Sequence, residues 1–221
     1  MIIPNYQRYS LASLIICVVL ISCTRTEKTY WDNGKLKSAL RKKGGHFNGI
    51  STWYYSDGTR QHECNYLNDT LQGPSTRWYD NGRISSMDHY KNNLRHGKSV
   101  GYDYDGILIS EANYINDTLE GTYKEYYPTG QIKIDGSYLK GMFDGKWLYY
   151  QQDGKITGIG EFKNGSGKQR AWYPDGKIKR IVPYENNLKQ GYEIWYDQEG
   201  KVEKLLVYEQ GELVSTQNQI N

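Results

Sequence analysis

Along most of this chain, short runs of alternating apolar and polar residues end in clusters of Gly, Asn, Asp or Pro, a period-two pattern that predicts β-strands separated by tight turns. Aligning the runs on the glycine of the "PDG"-like turns gives Gly34, Gly58, Gly82, Gly106, Gly130, Gly154, Gly176 and Gly200, spaced by 24 residues except for one step of 22. Four residues before these glycines stand Tyr30, Tyr54, Trp78, Tyr102, Tyr126, Tyr150, Trp172 and Tyr196. Two residues after them come Leu36, Ile84, Leu108, Ile132, Ile156, Ile178 and Val202, with Arg60 departing. Eight residues after them come Tyr66, Tyr90, Tyr114, Tyr138, Phe162, Tyr184 and Tyr208, with Lys42 departing. A second glycine closes most units, at Gly49, Gly73, Gly97, Gly121, Gly145, Gly167 and Gly191. A fixed period of this length, carried by eight units, is the signature of a repeat architecture.

Turn chemistry says how one unit folds. Pro128 and Pro174 sit two places before the glycine, where proline's fixed φ suits the first central position of a type I turn and the glycine takes the left-handed residue that follows. The hairpin loop is therefore expected to be the three-residue kind; a two-residue mirror-image turn would need positive φ at Thr129 and Glu199. With strict alternation, the aromatic before the glycine, the aliphatic after it and the later tyrosine share one face as a continuous ladder. The second turns, "LNDTLQG", "KNNLRHG", "INDTLEG", "LKGMFDG" and "ENNLKQG", are rich in residues that tolerate turn conformations and lead into the next unit. The expected fold is all-β, an elongated antiparallel meander sheet of tandem β-hairpin repeats. It has roughly 16 strands and, at about 4.8 Å per strand, a length on the order of 75 Å. Eight repeats fill residues 30–214, a tail follows at 215–221, and stability is nearly one-dimensional because each unit packs only on its neighbours.

The stretches "TWYYSDG", "RWYDNGRI", "EYYPTGQI", "AWYPDGKI" and "YKNNLRHG" resemble the MORN repeat (membrane occupation and recognition nexus), in the bacterial variant labelled a YwqK-like antitoxin. The resemblance covers nearly all of residues 30–214. It departs in the imperfect first unit and in the shortened sixth, "FKNGSG". It implies one β-hairpin per repeat in an elongated sheet, and a role in protein or membrane contact rather than catalysis. The antitoxin label is a family-level association.

The N-terminus differs from the rest. Arg8 gives a basic start and Leu11–Ile21 is an almost uninterrupted apolar run, about half of the roughly 20 residues that cross a bilayer, so residues 1–22 are expected to be a secretion signal. The run ends in Leu20-Ile21-Ser22-Cys23, which is similar to the bacterial lipobox. That resemblance implies a lipid on Cys23, residues 23–29 as lipidated N-terminus and linker, and a lipid-anchored place in the cell envelope, at the outer membrane. Cys17 would leave with the signal, so Cys64 has no disulfide partner and is expected to be a half-buried strand residue.

Charge adds little: 28 Lys and Arg against 25 Asp and Glu leave no field for nucleic acid. The basic run Lys35, Lys37, Arg41, Lys42 and Lys43 reads as a protected strand edge, with contact to acidic headgroups as the alternative. His46, His62, His89 and His96 form no metal spacing, and "HEC" at 62–64 sends His62 and Cys64 to one face and Glu63 to the other. Asp57, Asp105, Asp153 and Asp175 stand beside the turn glycines, where turn geometry accounts for them. No phosphate loop or serine elbow is present, so neither enzyme activity nor a cofactor is expected. The candidate partner-binding residues are aromatics three or five places before the glycine: Trp31, Trp53, Tyr55, Tyr79, Tyr127, Tyr149, Tyr173 and Trp195, expected on the face opposite the ladder. "DTL" at Thr70 and Thr118 is similar to a short O-glycosylation motif, and turn preference also explains it. The expected function is a non-enzymatic, membrane-anchored scaffold binding protein partners. The alternatives are a toxin-neutralising protein and an envelope glycan-binding module.

Overall fold

The computed structural model describes residues 23–218, so the expected signal peptide over 1–22 lies outside the described residues. The described residues form 19 β-strands and no helix. Strands follow one another antiparallel in a single open meander, from Thr24–Tyr30 at one edge to Glu212–Asn218 at the other. Leu94–Arg95 and Gly97–Tyr102 both lie on Ile84–Lys91, and Leu188–Lys189 and Gly191–Tyr196 both lie on Ile178–Glu185. Each couple is one strand interrupted at His96 or Gln190. These two interruptions and the last strand, Glu212–Asn218, raise the strand count above the expected ~16.

Both ends extend further than expected. The supposed linker over 23–29 is strand from Thr24 onward, paired residue by residue with Leu36–Lys43. The supposed tail over 215–221 contributes Ser215–Asn218 to the last strand, paired with Val202–Glu209. Neither segment carries the aromatic rule of the repeat. The neighbouring strand offers a free row of backbone groups, and that suffices to order them.

The turns have the conformations their residues favour. In the glycine turns the amide of Gly58 donates to the carbonyl of Tyr55 (3.0 Å) and the amide of Tyr55 to the carbonyl of Thr59 (2.9 Å), the expected three-residue loop, with Gly58 at φ +95°. In the second turns both central residues have positive φ, as at Asn68 (48°) and Asp69 (61°), a type I′ turn that Asn, Asp and Gly tolerate best.

Two bulges per unit decide which side chains share a face. Trp53 pairs with His62 and Tyr54 with Arg60, leaving Gln61 as an extra residue, and the same shift recurs at the other glycine turns. One extra residue reverses the alternation. The expected ladder is therefore split. The aromatic before the glycine does lie opposite the aliphatic after it, but the later tyrosine falls on the other face, with the residues five and seven before the glycine. The second bulge sits at the closing glycine: Cys64 faces Ser75 and Tyr66 faces Leu71, so Gln72, Gly73 and Pro74 oppose Asn65 alone. In the 22-residue unit Gly160 faces Gln169 and Phe162 faces Gly167 one to one, so the two missing residues are those of the bulge.

The inner face holds the core. Cys64, Ala112, Val182 and Leu206, six places after their glycines, are buried with Trp147 and Phe162. Rings crowd the middle of the sheet: Phe143 and Trp147 have centroids 4.7 Å apart, Tyr138 meets Trp147 edge-on at 5.1 Å, and Phe162 meets Tyr184 edge-on at 5.5 Å. Glycines make room for them, since a side chain at Gly136 would fall inside the Trp147 ring and one at Gly160 inside the Phe162 ring.

Gly165 and Gly154 separate two costs of replacing a turn glycine. Both have φ near +80°, but a methyl at Gly165 would meet Asn187 Oδ1 at 2.9 Å and Met142 Sδ at 3.0 Å, whereas one at Gly154 meets nothing within 4 Å. Gly154→Ala is expected to cost about 1 kcal/mol from backbone strain alone. Gly165→Ala is expected to cost about 2–3 kcal/mol, strain and overpacking together. Urea midpoints of the two variants check the difference.

Candidate interaction surface

The residues three places before the turn glycine do not form an open binding row. Trp31 donates from Nε1 to the carbonyl of Tyr54 (3.1 Å), and the hydroxyls of Tyr55, Tyr79, Tyr127 and Tyr173 donate to the carbonyls of Trp78 (2.8 Å), Tyr102 (2.9 Å), Tyr150 (2.7 Å) and Tyr196 (2.7 Å). Each bond reaches 23 residues along the chain, to the aromatic of the next unit. These five rings are staples between successive turns. The lysines join them, with Lys35 Nζ on the carbonyl of Asp57 and Lys177 Nζ on that of Gln198.

The residues five places before the glycine belong to the inner face. Trp53 stacks on His62, 5.2 Å between centroids and 20° between planes. Burial pushes the Tyr149 phenol far above its ordinary range. Trp195 donates from Nε1 to Glu193 Oε1 (2.8 Å) under the guanidinium of Arg180. Glu193 is 2% exposed and is also held by Lys189 Nζ at 2.7 Å, a paired buried charge in the last unit. Sequence reasoning missed the row seven places before the glycine, which supplies Ser51, Ser75, Trp147, Gln169 and Glu193 to the buried face. Its mixed residue types give no periodic signal.

The polar groups with chemical potential are structurally occupied. No cluster of three or more His, Cys, Asp or Glu with metal-holding geometry exists among the described residues. Asp57, Asp153 and Asp175 accept from the amides of Thr59, Lys155 and Lys177, and Asp105 pairs with Arg83 (3.2 Å). His46 bonds Asp69, His89 the carbonyl of Lys98, and His96 Asn116. His62 contacts Ser75 Oγ at 2.9 Å; burial, then the nearby Arg77, lowers its pKa to about 4. Burial raises the Cys64 thiol, which makes it a poor nucleophile.

The outer face carries the accessible apolar surface. Along the second turns lie Leu67, Ile115, Leu139, Met142 and Leu188, all exposed. Along the glycine turns lie the partly exposed aromatic row and, beside it, exposed Ile156 and Ile178. Between the two rows run ion pairs such as Lys98 with Glu111 (2.5 Å) and Lys124 with Asp135 (3.7 Å). The large aliphatic side chains left exposed without a partner inside the sheet therefore lie on this face, whereas the rings of the two expected rows are engaged in staples or on the inner face.

Three measurements follow. Removing one staple hydroxyl, as in Tyr127→Phe, is expected to cost about 1 kcal/mol in a urea titration. The fold keeps His62 neutral, so between its folded value of about 4 and its ordinary value of 6.5 the unfolded chain binds the extra proton and stability falls with falling pH. His62→Gln should accordingly lose less thermal stability than the wild type between about pH 7 and 4.5. Cys64 should react with a thiol reagent such as Ellman's only at the rate of unfolding, because it is 1% exposed.

Among curated proteins, none matches this chain. The family model of the MORN repeat variant matches residues 26–40, 47–68, 71–92, 95–116, 119–140, 143–164 and 166–186, well over half of the sequence. Apart from the first, 26–40, the matched spans begin and end at or beside the second turns, and each span holds one glycine hairpin with its stapled ring or the position that ring would occupy. The chain belongs to the MORN repeat family, in the variant form of the repeat.

Proposed function

We propose that this protein is a non-enzymatic repeat scaffold of the bacterial cell envelope, anchored by a lipid on Cys23, that binds protein partners along the outer face of its sheet. The observation that carries the reading is the set of exposed Leu67, Ile115, Leu139, Met142 and Leu188 along the second turns, interrupted by Lys91, Lys163 and Glu185, beside exposed Ile156 and Ile178. Apolar side chains gathered on one exposed face are what a partner protein would cover. Repeated weak contacts at a fixed spacing give avidity without any single essential residue. The lipobox resemblance supplies the anchor, and Cys23 is exposed and directly precedes the first strand. A lipid there would hold the sheet by its first edge, with no slack between membrane and repeat.

Glycan binding is the weaker reading, because Trp53 and Trp195, the rings a sugar would stack on, are engaged with His62 and with Glu193 and Arg180. Toxin neutralisation rests on the family association alone. Labelling cells with a radioactive fatty acid tests the anchor: the wild type should carry label and Cys23→Ala should not. Capture from envelope extracts tests the surface. Leu139→Lys combined with Leu188→Lys should retain the fold by circular dichroism and lose most of the captured protein, while unchanged capture by this double variant would sink the outer-face reading.

A further inference from the structure

At Gln151 the repeat breaks its own rules. Five turns place an aromatic three residues before the glycine and staple it to the next unit at 2.7–3.1 Å. Gln151 holds the equivalent position in its turn, its side chain is exposed, and no staple reaches the carbonyl of Trp172. The following step is the 22-residue one, and Ala171 stands where other units carry Trp53, Tyr149 or Trp195. Asp103 also lacks the ring, and the adjacent Tyr104 turns back to the preceding unit, 5.3 Å from the Tyr79 ring with its hydroxyl on Asp80. At Gln151 the missing ring coincides with the shortened step. An open cleft of about 530 Å³ remains, lined by Ile156, Ile159, Trp172, Tyr173 and Pro174. A second cleft of about 320 Å³ adjoins it through Gln151, Trp172 and Pro174 and adds Lys179 and Arg180.

The shape and the charge of the site define its occupant. In the intact units the slot is filled by a phenol or indole whose donor satisfies a backbone carbonyl, so the vacated slot offers a ring-sized apolar bed and an acceptor. Lys155, Lys179 and Arg180 line the two clefts and no carboxylate does, although Lys155 is paired with Asp153 (3.0 Å) and Arg180 with Glu193 (3.8 Å) just outside them. Lys179 has no carboxylate within ion-pair distance among the described residues, and its ammonium lies 5.4 Å from the Tyr173 ring centroid. We propose that this cleft is a docking site for a tyrosine presented by a partner protein within an acidic segment. Its ring lies against Trp172 and Pro174, its hydroxyl donates to the carbonyl of Trp172, and the flanking carboxylates face Lys155, Lys179 and Arg180. The site deepens the reading of the chain as a protein-binding scaffold and rests on it.

The test uses the full chain purified in detergent and a fluorescein-labelled peptide, Gly-Glu-Asp-Tyr-Glu-Asp-Gly, followed by fluorescence anisotropy. Saturable binding is expected, weakened about fivefold when the peptide tyrosine becomes phenylalanine, the worth of one neutral hydrogen bond. It should weaken further when the peptide acids become lysines. Gln151→Tyr fills the slot with the chain's own ring: it should raise the urea midpoint and weaken peptide binding by about tenfold or more. Trp172→Ala should weaken binding without that stabilisation. Absence of saturable binding to the wild type, or equal affinity of Gln151→Tyr, overturns the proposal. So does an N-acetylglucosamine oligomer that binds in a Gln151-dependent way where the peptide does not. If wild type and Gln151→Tyr capture the same envelope proteins and the peptide fails, this site falls while the scaffold reading stands.

Discussion

A single sheet has no second layer to press against its aromatic face, so every apolar side chain must be covered by neighbours within the same sheet. This constraint explains the features that separate the chain from an ordinary hairpin array. The inner rings lie edge-on to one another across strands, as Tyr138 does to Trp147 and Phe162 to Tyr184, which buries them in a layer one side chain thick. Glycines at 136 and 160 let the largest of them lie down on the backbone. Backbone groups at the strand ends, which a second layer would shield in a sandwich, are closed by side chains of the adjacent unit. Tyrosine hydroxyls do this at the glycine turns. At the second turns Asp69, Asn93 and Asp117 accept from the amides of Phe47, Leu71 and Arg95. A unit removed from the array would lose its staples as well as its ladder, so the energy that holds any hairpin resides mostly in its contacts with the next.

How much of this was legible in the sequence follows from what each feature leaves as a trace. The turns were readable because positive φ demands particular residues: Gly58 and its counterparts, and pairs such as Asn68 and Asp69, announce their own conformation. The opposition of Tyr54 and Arg60, or Trp78 and Ile84, followed from the loop length. Face assignment was not readable. The extra residue that reverses the alternation is Gln61 in one unit and Thr157, Lys179 or Glu203 in others, with no shared character, because a bulge constrains the backbone and leaves that side chain free. Strict period-two counting therefore put Tyr66 on the face of Tyr54, when it shares the face of Trp53 and packs on the Phe47 ring. The stapling rings were misread for a related reason: their partner is a backbone carbonyl 23 residues away, and a carbonyl has no sequence signature. Trp31 or Tyr127 looked like an unsatisfied surface aromatic because half of its interaction is invisible in one dimension.

These placements decide which side chains remain free of the sheet's own contacts. Rings committed to the inner layer or to staples cannot adapt to a partner without loosening the sheet, whereas the aliphatic rows on the outer face are committed to nothing. A partner bound there would leave the contacts that hold the fold intact. The central ion pairs between these rows leave the outer face polar in its middle, which suits a contact that forms and dissolves more than a permanent one.

The shortened unit shows how the array tolerates a fault. Losing the bulge removes two residues between the Asn164–Gly165 turn and the glycine turn that follows, and Gly165 carries no side chain able to reach back as Asp69 or Asn93 does. Asn187 performs both tasks. Its amide bonds the carbonyl of Gly165 at 2.9 Å, while its carboxamide passes over that glycine to the amide of Phe143 and the carbonyl of Gly141, each at 2.7 Å and two units back. A side chain at position 165 would block that reach, so the glycine and the longer bond depend on each other. The second-turn end of the sheet is thereby tightened where the bulge is missing, while the glycine-turn end, with Gln151 in place of a ring, stays open.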